Sequence, residues 1–288
     1  MYPSNFEYMR PKTLEEAIEL ISSMEGSRVL AGGQSLLSMM KLRIFEPSSL
    51  IDIGFIPELK HVKLEDKHKV RIGAMVNHHE ILDNPIVREN LPMLSSTAEK
   101  IADLQVRNRG TIGGSICEAD PAADYLPTLM ALNAKVHLKS KSEERSLDIE
   151  EFIKGPFETE IQDGEILTEV EIEKNTENFA VEKYARRKAD FAVASVAALA
   201  RLAKDGKVEY IRVAIGATSE GPKRLKDIES SIIGKTSAQL DLGQIIQNTI
   251  SKIDMISDLH GGSEYRKYVL SGMLMRMLES LITKGRQR

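Results

Sequence analysis

The sequence predicts an α+β protein, and three observations carry that prediction. The first 55 or so residues read helix, strand, glycine turn, helix, strand, the order of a small unit with parallel strands. The stretch that follows, to about residue 175, is dominated by alternating apolar and polar runs separated by turn residues, the pattern of antiparallel sheet. After the charged spacer Glu173 to Asn178 the texture changes to long apolar strands and then helices, so a domain boundary is expected near 175.

Thr13 to Met24 supplies an N-cap threonine, acids in the first turn and an apolar face of Leu14, Ala17, Ile18 and Ile21, an amphipathic helix. Val29 to Ala31 then meets Gly32-Gly33 and a second helical pattern through Leu36, Leu37, Met40 and Leu42, followed by a strand at Ser48 to Gly54. Asp66-Lys67-His68 separates two alternating runs and predicts a hairpin. Asn77 is placed to cap a helix that Pro85 limits, Leu94 to Ile101 reads as helix, and a glycine-dense loop then leads to a Pro-initiated helix and a strand at Ala134 to Leu138. ILTEVEI closes the middle stretch as a strand. Beyond it, ADFAVASVAALARL and VEYIRVAIGATS form two strands about the turn Lys204 to Lys207, and the chain past Pro222 is helical.

Composition narrows the function. The chain has 288 residues and a net charge of −4, with charges of both signs mixed along it, so it lacks the footprint of a nucleic-acid or anionic-lipid binder. A single cysteine, Cys117, makes no intramolecular disulfide and holds no iron–sulfur cluster or Cys-rich zinc site; any such cluster is expected in another chain. No stretch reads as a signal peptide or membrane span, and a cytoplasmic location is expected.

The chemistry is concentrated in two segments, Ala31-Gly32-Gly33-Gln34-Ser35 and Thr111-Ile112-Gly113-Gly114-Ser115, 80 positions apart. Adjacent glycines can turn successive N–H groups toward one spot and let a bulky anion approach. The first pair also opens a helix, whose N-terminus favours phosphate. Two such nests suit a pyrophosphate, with Ser35, Thr111 and Ser115 as hydroxyl donors; taken singly, each pair is equally a plain turn. Neither fits the dinucleotide-binding or P-loop glycine patterns. His78 and His79, adjacent and without a third ligand, read as helix-start polar residues rather than a metal pair, and no catalytic Ser/His/Asp or Cys/His set stands out. Arg107 and Arg109 are expected at the surface.

AGGQSLLSMMKLR together with QVRNRGTIGGSICEADPAAD resembles the FAD-binding medium subunit of molybdenum hydroxylases, the group of carbon monoxide, aldehyde, glyceraldehyde and xanthine dehydrogenases. GPFETEIQDGEILTEVEI, KYARRKADFAVASVAALARL, IRVAIGAT and GSEYRKYVL continue the resemblance over nearly the whole chain. It implies an FAD-binding domain of the vanillyl-alcohol-oxidase (PCMH) type over residues 1–175, made of two α+β subdomains at about 1–55 and 56–175. A small α+β C-terminal domain, 176–288, would follow, with a three-stranded antiparallel sheet and a helical bundle.

Residue by residue, the resemblance assigns Ala31 to Ser35, extending to Leu36 and Leu37, and Thr111 to Ser115 to the two halves of the FAD pyrophosphate site. Ser115 stands where the family often has Asn. Gln34 stands where covalent flavoproteins of the wider superfamily often have a histidine that can be alkylated, so FAD is expected to be noncovalent. Asp124 is implied as a polar contact to the ribityl or adenosine portion, with Asp120 nearby, although Asp120 before Pro121 is also well placed to cap a helix. Lys183 and Tyr184 would lie near the isoalloxazine, the cation favouring the anionic reduced ring and the aromatic shielding a face. Lys183 with Arg186, Arg187 and Lys188 reads equally as a solvated basic run.

The function implied is electron transfer. Electrons from a molybdenum-cofactor subunit would pass through the [2Fe-2S] clusters of a small subunit to the FAD held here, then to an external acceptor, in a dimer of heterotrimers. No catalytic acid, base or metal ligand is expected from this chain. Two alternatives stand beside this: a self-contained FAD oxidoreductase of the same superfamily, and an assembly protein that has lost its flavin.

Overall fold

The computed structural model describes residues 2–175 and 177–283. The first unit has three strands, β1 (Glu7–Met9), β2 (Ser27–Leu30) and β3 (Ser49–Asp52), paired in parallel in the order β1-β3-β2. Helices α1 (Leu14–Ser23) and α2 (Leu36–Lys41) provide its connections. Thr13 caps α1 by accepting the Glu16 amide at 3.2 Å. The helix buries Leu14, Ala17 and Ile18 against Ile51 and Ile53. Three-residue β1 escapes sequence reading because it is too short to show alternation.

The second unit opens on the expected hairpin, β4 (Val62–Glu65) and β5 (Lys69–Gly73), turned by left-handed backbone at Asp66 and Lys67. Helices α3 (His78–Asp83), α4 (Pro85–Asn90), α5 (Pro92–Glu99), α6 (Leu104–Arg107), α7 (Ile112–Glu118) and α8 (Tyr125–Ala131) follow. Then come β6 (Lys135–Lys139), β7 (Glu144–Asp148), α9 (Ile149–Phe152), β8 (Ile153–Gly155), β9 (Glu158–Thr159) and β10 (Ile166–Glu173). Five of these strands form an antiparallel sheet in the order β4-β5-β10-β6-β7. The alternation in ILTEVEI is explained: Val170 and Ile172 enter the core, while Glu169 and Glu171 pair with Arg71 and Lys69 on the outer face.

Two expectations for this unit are corrected. The glycine-dense segment Thr111 to Ser115 is not a loop but the cap and first turn of α7, with Thr111 accepting the Gly114 amide. The next helix does not start at Pro121. It starts at Tyr125, because the Asp120 carboxylate accepts the Ala122 amide at 2.8 Å and bends the chain into a turn instead.

The remaining described residues form β11 (Asn178–Tyr184), β12 (Ala194–Leu202), β13 (Val208–Gly216) and β14 (Lys223–Arg224), an antiparallel sheet in that order. The implied three strands thus become four, the last a two-residue edge. Helices α10 (Lys226–Ile232), α11 (Leu242–Ile250) and α12 (Ser263–Thr283) cover one face. On the other face Ala197, Leu199 and Ala214 join the core of the second unit. Burial on both faces explains why β12 is apolar almost throughout. No helix among the described residues is long and apolar enough to cross a membrane.

An ion-pair group ties the sheet to the second unit. Arg224 donates to both carboxylate oxygens of Glu229 of α10 and, at 2.9 Å, to Glu150 of α9, and Glu229 Oε1 also accepts the Val213 amide at 2.9 Å. Glu229 is buried, so Glu229→Ala is expected to cost about 3 kcal/mol in urea unfolding, by analogy with other broken buried pairs. A loss below about 1 kcal/mol, the range of exposed pairs, would contradict this placement.

Candidate functional site

The first glycine run meets the backbone of Arg109 and Gly110, just ahead of the second run. A Cβ on Gly32 would stand 2.8 Å from Gly110 Cα and still closer to the Arg109 carbonyl oxygen, while a Cβ on Gly114 would lie 3.7 Å from that of Ala31. Gly33 has φ +73°, which favours glycine, and a side chain there would meet Leu37 at 2.9 Å. Gly113 packs on Ala74, whose Cβ would be 2.6 Å from an added one. The Gly113 amide also donates to the Ala74 carbonyl at 3.0 Å.

The runs are not equivalent. Among the described residues none of the amides of Gly32, Gly33, Gln34, Ser35 and Leu36 has a hydrogen-bond acceptor. In the second run Ile112 donates to Val76 at 3.1 Å, Gly114 to Thr111 Oγ1 at 3.1 Å and Ser115 to the Thr111 carbonyl at 3.0 Å. The first run therefore offers the backbone donors an anion needs. The second contributes a close, side-chain-free approach and the Ser115 hydroxyl, which makes no hydrogen bond among the described residues. Ser35 occupies the N-cap position of α2 without spending its hydroxyl on a capping bond. Gln34 curls back, its Nε2 donating to the Gly32 carbonyl at 3.1 Å. Leu36 and Leu37 form the first turn of α2. This geometry fits the phosphates of FAD.

From α7 the chain runs through Asp120, in its turn, to Asp124, which spends its carboxylate on Lys183 instead of capping α8. The Lys183 ammonium donates to Asp124 at 2.8 Å and to the Lys100 carbonyl at 3.1 Å, and the paired side chains are only 9% and 10% exposed. Burial pushes the Asp124 carboxyl up to about 6, with Lys183 pulling it the other way; burial likewise raises Asp120 and Glu118. Beside the pair lies a cavity of about 10 Å³ lined by Lys100, Asp124, Thr128, Lys183 and Ser195, room for one water and not for a flavin ring. Tyr184, next along β11, points to the opposite sheet face, where its hydroxyl meets that of Tyr265 at 2.8 Å. Lys183 and Tyr184 thus do not share a face, and the lysine charge is already paired.

Several residues at the site escape sequence reading. His78 opens α3 behind the expected cap Asn77, which forms a capping box with Glu80, but its ring turns inward. It packs edge-on to Tyr125 at 5.2 Å and its amide donates to the Gly110 carbonyl at 3.0 Å, so it holds the second run from behind. Burial, then the Arg107 charge, lowers the ring to about 4, keeping it neutral. Arg107 is not a free surface residue: its Nη1 donates to the carbonyls of Ile101 and Ala102 at 2.8 and 2.9 Å, while Arg109 is exposed as expected. Cys117 is pushed up to about 12 by burial and is no nucleophile at neutral pH.

Residues 4–174 match the FAD binding domain in molybdopterin dehydrogenase, and residues 179–281 match the CO dehydrogenase flavoprotein C-terminal domain. The chain belongs to the FAD-binding molybdopterin dehydrogenase family. It is 38% identical to the glyceraldehyde dehydrogenase medium chain of Sulfolobus acidocaldarius, over 98% of this chain and 100% of that one. Against the nicotine 6-hydroxylase medium subunit of Paenarthrobacter nicotinovorans it is 33% identical, over 94% and 95%. A solved carbon monoxide dehydrogenase from Hydrogenophaga pseudoflava, lacking the Mo-pyranopterin moiety of its cofactor, superposes with a TM-score of 0.94 at 34% identity, covering 98% of each chain.

Two predictions follow from the geometry. Gly32→Ala forces the runs apart and is expected to weaken FAD binding by about tenfold or more in a fluorescence titration, whereas unchanged affinity would deny the contact its role. Because the folded-state Asp124 carboxyl is raised from 3.8 to about 6, the folded protein holds that proton more tightly than the unfolded chain. Wild-type stability should therefore fall relative to Asp124→Asn as pH rises from about 4 to about 6, and unfolding curves with the opposite trend would refute the burial argument.

Proposed function

We propose that this chain is the electron-transfer flavoprotein subunit of a molybdenum hydroxylase, working with a large molybdenum-cofactor subunit and a small iron–sulfur subunit. The observation that carries the reading is the set of five unpartnered amides at Gly32 to Leu36, which begins at a side-chain-free contact between Gly32 and the Arg109-Gly110 backbone just ahead of the second glycine run. Bound there, FAD would accept electrons singly from the iron–sulfur partner and release two to an external acceptor.

The chain's own work is to bind and orient. Ala31 to Leu37 would hold one side of the pyrophosphate through amides and the Ser35 hydroxyl, and Thr111 to Ser115 would close on the other. Asp120 and Asp124 would border the ribityl or adenosine portion. Lys183 would act through its pair with Asp124, fixing that carboxylate, and Tyr184 would shield a face of the ring. FAD would be noncovalent, since the Gln34 amide is not a nucleophile. The domains would be residues 1–175, with subdomains about 1–55 and 56–175, and 176–288. The break would fall between β10, which ends at Glu173, and β11, which begins at Asn178. A cytoplasmic site and a dimer of heterotrimers complete the proposal.

The relatives' names differ in substrate, glyceraldehyde, nicotine and carbon monoxide, while their medium chains resemble this one end to end. That supports a division of labour in which the molybdenum subunit chooses the substrate. Purification from the native host tests the proposal. Stoichiometric FAD, co-purifying large and small subunits, and flavin bleaching by substrate only when all three are present are expected. A yellow single chain that oxidises substrate unaided, or a colourless one that FAD cannot reconstitute, would overturn it.

A further inference from the structure

Arg266 is the bulkiest of the fully buried side chains among the described residues, at 2% exposure. It stands near the start of α12, inside GSEYRKYVL. Its guanidinium reaches two separate stretches of chain. Nη1 donates to the carbonyl oxygens of Val193 at 2.7 Å and Ala192 at 3.4 Å, Nη2 to Asp258 Oδ1 at 2.6 Å, and Nε to the Gly261 carbonyl at 3.3 Å. Only a planar fork of fixed donors satisfies so many acceptors in different directions; an ammonium is a point charge.

The acceptors belong to two loops that flank Tyr184. Ala192 and Val193 end the loop from β11 to β12, and the Val193 amide donates to the Tyr184 carbonyl at 2.8 Å. The loop of Asp258 to Gly261 receives Arg186 Nη1 at the Leu259 carbonyl, 3.1 Å. Tyr265, the residue before Arg266, meets the Tyr184 hydroxyl at 2.8 Å, with the rings 6.4 Å apart and edge-on. Main chain and side chain of Tyr184 are thus both referred to the first turn of α12. A residue needed only to fill this space would serve as well if apolar, since buried charges rarely add stability over a packed hydrocarbon.

We infer that Arg266 is a positioning residue for the flavin, fixing the 185–193 loop and through it the ring of Tyr184. The inference rests on the proposed placement of Tyr184 beside the isoalloxazine. The test uses the full chain loaded with FAD and compares Arg266→Lys, Tyr184→Leu and the double variant by visible circular dichroism of the flavin and its midpoint potential. Arg266→Lys is expected to keep FAD and cooperative unfolding yet shift both signals. Tyr184→Leu should shift them too, and the double variant should match Tyr184→Leu alone, as residues acting in series do.

Wild-type flavin signals in Arg266→Lys, or shifts that add in full in the double variant, would overturn the role of Arg266 while leaving the placement of Tyr184 intact. Wild-type signals in FAD-loaded Tyr184→Leu would overturn both. Should Arg266→Lys not fold, Asp258→Ala, which removes one acceptor of the guanidinium and leaves the loop carbonyls, is judged by the same signals. A smaller shift of the same sign supports the inference, and none overturns it.

Discussion

At Gly32 the first unit of the fold touches the second through bare backbone. A single methyl group there would overlap the Arg109 carbonyl and crowd Gly110 Cα at 2.8 Å. Much of the site depends on that contact. It brings segments 80 positions apart in sequence within reach of one ligand. Beside it, the Gly32 to Leu36 amides have no acceptor among the described residues. His78 supports the far side of the same contact, bonded to Gly110 and held neutral by burial.

From this junction the chain leads through α7 and the Asp120 turn to the Asp124–Lys183 pair, which joins α8 to β11. The pair is nearly closed to water, and a buried pair of this kind contributes more to fixing geometry than to net stability. The four-stranded sheet, packed on α8 through one face and on α10 to α12 through the other, gives β11 a rigid bed. Arg266 then secures the loop at its end. The glycine runs, the carboxylate pair and Tyr184 lie in sequence along one connected framework, which suits the proposed task of holding a cofactor in place.

Much of this was legible in the chain. Capped helices such as α1 and α3 announce themselves through Thr13 and Asn77, because capping is a local matter of which side chain reaches which amide. The alternation in β10 and the apolar run of β12 reflect their one-sided and two-sided burial. The glycine pairs stood out for the same local reason, as did the family motifs around them. What the sequence hid is tertiary. Thr111 to Ser115 looks like a loop by glycine content yet forms a helical turn, since the Thr111 hydroxyl and the carbonyls of Ala74 and Val76 take its amides. Asp120 has the form of a helix cap and makes a turn, and the Asp124 carboxylate, which the resemblance implies as a cofactor contact, is paired across 59 positions with Lys183. The inward turn of His78 has no local signal at all.

The central claim is that one FAD pyrophosphate is held between the two glycine runs, with the first run supplying the backbone donors. A crystal structure of the FAD-loaded chain tests it most directly. The account predicts phosphate oxygens within hydrogen-bond distance of amides in Gly32 to Leu36, with Gly114 and Ser115 closing the other side. Phosphates bound elsewhere, or contacted by the second run alone while the first five amides face solvent, would contradict it.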